Sequence, residues 1–179
     1  MNKEAMAHAY RQAGKAVAAF ALGDDAISIS SKNPAIRRRA NEIEATISLA
    51  GPYAQLKHDP ATDVGQARQK EWAADELAAK ACTASAVLCE SRPKGPSPGV
   101  WAWSGVMLEL EEAAEAIALY GRLEEAAKAF VAARWLAISS LASVLMERGS
   151  VSGAEIEAIV LAHPSPPAPS KPESGFWSA

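Results

Sequence analysis

Met6, Tyr10, Ala13, Val17 and Phe20 recur at alternating steps of four and three residues, so a helix over about Glu4 to Leu22 carries one buried apolar stripe. Gly23-Asp24-Asp25 ends it. Ala26-Ile27-Ser28-Ile29-Ser30 alternates apolar and polar between turn formers and predicts a short strand. After Asn33-Pro34 a second helix runs to about Leu49 or Leu56, with Ile36, Ile43, Ile47 and Leu49 on its apolar side. His58-Asp59-Pro60-Ala61 is a turn. Thr62-Asp63 then opens a third helix, which continues through Trp72, Leu77 and Val87 to about Glu90. The prolines of Ser91 to Gly99 lack amide donors and fix the backbone torsion, which makes 91–99 a surface loop.

Beyond that loop a helical region is expected from about Ser104 to Tyr120, with a break at Gly121 and a continuation from Arg122 to Arg148. Trp101 and Trp103 near its start read as core anchors or as a cap over the bundle. Trp135, Ile138, Leu141, Ala142 and Leu145 keep helical spacing, and Arg148-Gly149 is a stop signal. Ser152-Gly153-Ala154-Glu155 is a capping box for a short last helix containing Ile156, Ile159 and Val160. The expected architecture is mainly α, a helical bundle with one or two short strands. It forms one domain over 1–162, followed by a proline-rich tail over 163–179 with Phe176-Trp177 near its end.

Composition narrows the classes of function. The chain has 179 residues, and its 49% hydrophobic content comes largely from alanine, which suits closely packed helices. A net charge of −3 gives no electrostatic footprint for nucleic acid. Arg37-Arg38-Arg39 reads as a solvated helix face. Cys82 and Cys89 are seven residues apart on a helix, about 10 Å between α-carbons, beyond disulfide reach. With no apolar run of about 18 residues, the expectation is a cytoplasmic protein without a membrane segment. A phosphate-binding Gly-x-x-x-x-Gly-Lys-Ser/Thr loop is absent as well, so no ATPase module is expected in this chain.

The chemistry concentrates in Tyr10-Arg11-Gln12-Ala13-Gly14-Lys15-Ala16-Val17. Zinc peptidases present two imidazoles one helical turn apart with a carboxylate beside the first, as in His-Glu-x-x-His. Here those positions hold Arg11, Gln12 and Lys15. The flanking residues resemble the Tyr-His-Glu-Ala-Gly-His-Ala-Val of FtsH-type ATP-dependent zinc peptidases. Further segments resemble that family in the same order: the Ile-Ser-Ile strand, Leu49-Ala50-Gly51-Pro52-Tyr53-Ala54, and Asp63-Val64-Gly65-Gln66-Ala67. So does the closing Trp-x-x-Ile-x-x-Leu-Ala-x-x-Leu-x-x-Arg-Gly-x-Val-Ser-Gly-x-Glu-Ile that begins at Trp135. In that family an Asp-x-x-x-Ala segment supplies the third zinc ligand, so the resemblance implies that Asp63 is the one retained ligand position.

The resemblance departs from the family where the chemistry resides. Arg11 cannot ligate zinc, Lys15 would have to lose a proton from a group with an ordinary pKa near ~10.4, and Gln12 cannot act as a base. No catalytic residue, metal or cofactor is therefore expected, and the resemblance implies a pseudopeptidase that binds a protein or peptide partner. If the ancestral geometry persists, Arg11 or Lys15 is expected within about 4 Å of the Asp63 carboxylate, a cation standing in for the metal. Other readings stay open. His8, Arg11 and Lys15 also read as an ordinary solvent face, and Asp63 or Thr62 as a helix cap. A displaced zinc site built on His8, His58 and Asp63 would make an active metallopeptidase. A helical homo-oligomerisation module built on Trp101, Trp103 and Trp135 is the third alternative.

Overall fold

The computed structural model describes residues 3–23, 33–89, 100–103 and 106–164. Its elements are α1 (Lys3–Gly23), α2 (Pro34–His58), α3 (Val64–Gln69), α4 (Ala73–Leu88), β1 (Val100–Trp103), β2 (Val106–Glu109), α5 (Leu110–Ala133), α6 (Trp135–Arg148) and α7 (Gly153–Ala162). The protein is mainly helical, as expected. The strand expected at Ala26–Ser30, the loop over 91–99 and all but the first two residues of the tail lie outside the described residues.

Helix α2 is the centre of the bundle, packing on α1, α4 and α5, while α1 also rests on α6 and α7. Asn33 caps α2 by accepting the Ala35 amide at 3.0 Å, with Pro34 at the first helical position, where a missing N–H costs nothing. Pro52 sits inside α2. It is fully buried, and α2 continues past it to His58, so packing on both sides outweighs the lost hydrogen bond.

The expected third helix is two. Val64–Gln69 ends at Lys70, with φ −120° and ψ −77°, and a new helix starts at Ala73. Between them Trp72 drops into the core, 1% exposed, and its indole N–H donates to Gln55 Oε1 at 3.0 Å. Burying an indole with its one donor satisfied is worth more than continuing a short helix. Arg68 then bridges Glu76 on α4 at 3.0 Å and Glu124 on α5 at 2.9 Å, and the Tyr53 hydroxyl donates to Glu124 at 2.7 Å. Burial, and then that carboxylate, pushes the Tyr53 phenol above its ordinary range.

The region expected to be helical from Ser104 departs from the reading in two places. Val106–Glu109 is a strand, paired antiparallel with Val100–Trp103 so that Trp101 faces Leu108 and Trp103 faces Val106. Gly121 does not interrupt α5, because Ala116, Leu119, Tyr120, Leu123, Ala127 and Val131 keep one face buried through it. That burial outweighs a propensity cost of about 1 kcal/mol for the glycine. The chain turns instead at Arg134, where α5 and α6 meet at a bend of 76°. Among the described residues no single helix is long and apolar enough to cross a membrane.

The corner between α6 and α7 follows the sequence signals. Gly149 takes φ 75°, the left-handed conformation that glycine adopts at little cost, and its N–H donates to Leu145. Ser152 accepts the Glu155 amide while the Glu155 carboxylate accepts the Ser152 amide, and Arg148 reaches Glu155 at 2.7 Å. These bonds, those from Ser152 first and the Arg148 charge after them, hold the Glu155 carboxyl below its ordinary 4.5. A depressed carboxyl stabilises the fold fully above 4.5 and loses that contribution as pH falls through the lower folded value. An NMR titration is expected to place Glu155 below 4.5 in the native chain and nearer to 4.5 in Ser152→Ala. An unchanged midpoint in the variant would mean that the capping box does not set it.

Candidate functional site

Arg11 and Lys15 are one turn apart on α1 and share a face. Both reach the same carboxylate, that of Asp75 in the first turn of α4. Lys15 Nζ donates to Asp75 Oδ1 at 2.7 Å, and Arg11 Nε lies 3.0 Å from Asp75 Oδ2. The Asp75 side chain is 5% exposed, Arg11 18% and Lys15 35%. The second contact is an ion pair and not a hydrogen bond, since both atoms are buried and the N–H is not aimed at the oxygen. Asp75 also lies at the positive end of the α4 dipole.

Two glycines allow this convergence. A Cβ on Gly51 would stand 2.7 Å from Lys15 Cγ and 2.9 Å from the Arg11 carbonyl oxygen, so the lysine stem crosses α2 where α2 has no side chain. A Cβ on Gly14 would stand 2.6 Å from Ala54 Cβ and 2.7 Å from the Ala50 oxygen. The small residues of Leu49-Ala50-Gly51-Pro52-Tyr53-Ala54 thus bring α1 and α2 into backbone contact, and α1 side chains reach across to α4.

Asp63 is not the partner of either cation. Its Oδ1 accepts the Gln66 amide at 3.1 Å, which makes it the N-cap of α3. The residue that the sequence reading missed is Asp75, and the same spacing marks it: Asp75-Glu76-Leu77-Ala78-Ala79 is also Asp-x-x-x-Ala. It heads a helix of 16 residues, whereas Asp63 heads one of six. Gln12 lies on α1, half-buried, between the two cationic positions.

An open cleft of about 820 Å³ lies beside the triad, between the first turns of α1 and the segment joining α2 to α4. Lys3, Glu4, His8 and Arg11 line it from α1; Asp59, Asp63 and Glu71 line it from the segment joining α2 to α4. Lys3 pairs with Asp59 at 3.0 Å. Glu71 accepts from Gln55 Nε2 at 2.7 Å, the same amide whose oxygen holds the Trp72 indole. His58 does not line this cleft; its ring stacks on Tyr10 at 3.9 Å, and Tyr10 stacks in turn on Trp135 at 5.4 Å. His8 and Asp63 therefore line the same cleft, and His58 is used elsewhere. Cys82 and Cys89 are free thiols.

Zinc does not fit the Arg11–Lys15–Asp75 donor set, which offers one carboxylate beside a guanidinium and an ammonium. Among the described residues no group of three or more His, Cys, Asp or Glu side chains is placed to hold a metal ion. What the arrangement does is join helices: three charges on α1 and α4 meet where α2 leaves room. Compared with known proteins, the chain matches no protein-family model and none of the curated proteins.

Proposed function

We propose that this chain is a catalytically inactive relative of the FtsH-type zinc peptidase domain, acting in the cytoplasm by binding a protein or peptide partner. One observation carries the reading. The two positions on α1 that would hold the zinc imidazoles converge, one turn apart, on a buried carboxylate in the first turn of a later helix. A carboxylate in that place is where the family's third ligand belongs, with Asp75 in the role the sequence suggested for Asp63. The charges of Arg11 and Lys15 then substitute for that of the metal ion. The close α1–α2 contact through Gly14 and Gly51 accounts for the small residues that the two resembling segments share.

The test is to rebuild the metal site. The variant Arg11→His/Gln12→Glu/Lys15→His supplies two imidazoles and a base on the same face. It is expected to take up one zinc per chain, to lose it when Asp75→Ala is added, and to keep it when Asp63→Ala is added. A folded variant that binds no zinc, or one that needs Asp63 instead of Asp75, would overturn the assignment. The native chain is expected to leave casein intact with or without added zinc; metal-dependent cleavage would overturn the inactivity.

A further inference from the structure

Helix α7 runs back along α6. Arg148 at the end of α6 meets Glu155 in the first turn of α7, and Ser140 Oγ lies 3.0 Å from the ring Nε2 of His163, which closes α7. The chain therefore leaves α7 beside Ser140, directed towards the first turn of α6. Leu136 stands there, one turn from Ser140 on the same face, and is 68% exposed. Next to it, the Trp135 ring has the Lys57 ammonium over its face at 5.1 Å.

Lys57 is also on the rim of a groove of about 220 Å³ between the C-terminal turns of α2 and α5. Its floor is Tyr53, Leu56 and Val131, and Lys128 is the other residue on its rim. Most of the polar groups around it are engaged. The Tyr53 hydroxyl and Arg68 hold Glu124, while Lys128 pairs with Glu125 at 2.6 Å and lies over the Tyr53 ring. Lys57 pairs with no carboxylate among the described residues and has only the Trp135 face. The groove thus offers an apolar floor, with room for one large ring, and one cation without a counter-charge at its edge.

The sequence that follows α7 carries the matching chemistry. Residues 165–179 contain one carboxylate, Glu173, three residues before the aromatic pair Phe176-Trp177, with Lys171 two residues further back. Phe176 is twelve residues beyond Pro164, a reach of at most about 40 Å. Ser140 and Trp135 are five residues apart on α6, only about 7.5 Å along its axis. We infer that this segment of the chain folds back over Leu136 and docks in the groove, its aromatic pair on Tyr53, Leu56 and Val131 and Glu173 against Lys57. The docked segment closes the groove to any partner that cannot displace it. The inference stands apart from the peptidase reading, because the groove shares no residue with the Arg11–Lys15–Asp75 triad.

Carbon–proton NMR of the methyl-labelled full chain tests it. Phe176→Ala/Trp177→Ala removes two rings and their ring currents, and is expected to move the Leu56 and Val131 methyl signals while those of Leu77 and Ile117, on other faces, stay in place. Glu173→Lys and Lys57→Glu are each expected to reduce the difference between ringed and ringless chains several-fold, and the two together to restore it. A structural disturbance would not be repaired by exchanging the charges. Dilution of the native chain is expected to leave the signals unchanged. Methyl signals at Leu56 and Val131 that ignore the loss of both rings would overturn the inference, as would shifts spread evenly over the core. Shifts that fade on dilution would assign the groove to the segment of a second copy and overturn it too, and absence of rescue in the charge exchange would overturn the pairing of Glu173 with Lys57.

Discussion

Replacing Asp75 by alanine is expected to destabilise the protein by about 3 kcal/mol. The loss is not that of one attractive contact. Removing the carboxylate leaves Arg11 and Lys15 one turn apart on α1 without the counter-charge they share. A broken buried pair costs about 3–5 kcal/mol because the surviving charge stays desolvated. The figure falls at the lower end because Lys15 is one-third exposed and can swing its ammonium into solvent. Asp63→Ala removes only a helix cap and is expected to cost about 1 kcal/mol. Urea unfolding of the two variants decides between the aspartates. A larger loss at Asp63 than at Asp75 would contradict the arrangement described. The combined variant Arg11→Met/Lys15→Met/Asp75→Leu removes all three charges at once, and is expected to recover most of the stability that Asp75→Ala loses.

The helices whose apolar faces are set by local periodicity were legible in the sequence: α1, α2, α7 and the C-terminal end of α6, with the signals at Gly149 and Ser152, but not the turn at Arg134 that begins α6. The rest depended on contacts distant in sequence. Val106-Met107-Leu108-Glu109 has no alternation, and it runs straight into an alanine-rich helix, so nothing local separates the hairpin from α5. Gly121 is a poor helix residue by propensity, yet α5 passes through it because its buried face continues on both sides. The expectation that placed the carboxylate at Asp63 failed for the same reason. Both head an Asp-x-x-x-Ala segment, and what separates them is the break at Lys70 to Trp72, set by Gln55 receiving the Trp72 indole from another helix. The expectation of a cation tied to a carboxylate from a later helix needed only the face of α1; the identity of the carboxylate needed the fold.

Gly14→Val is expected to cost about 3 kcal/mol or more, against about 1 kcal/mol gained by Gly121→Ala. Both glycines lie inside helices, so in both the substitution relieves the same backbone-entropy penalty. Their surroundings decide the sign. A Cβ at Gly121 meets nothing within 4 Å, so the propensity gain stands alone. A Cβ at Gly14 would be 2.7 Å from the Ala50 oxygen, a backbone atom fixed in α2, and 2.6 Å from the Ala54 methyl, where carbon atoms prefer about 3.5–4.0 Å. No rotamer removes that overlap; the helices must move apart. Gly14→Ala isolates this step, since it adds the Cβ alone, and its overpacking cost of about 1–3 kcal/mol exceeds the propensity gain. Valine adds two further methyls against α2. Separation of α1 from α2 also withdraws Lys15 and Arg11 from Asp75, because their reach to α4 depends on the contact at Gly51. Gly14→Val is therefore expected to weaken the ion triad along with the helix contact, so that adding Asp75→Ala to it costs less than Asp75→Ala does alone. A double-mutant cycle in urea measures the difference, and strict additivity would show that the close helix crossing and the charge cluster are independent features of the fold.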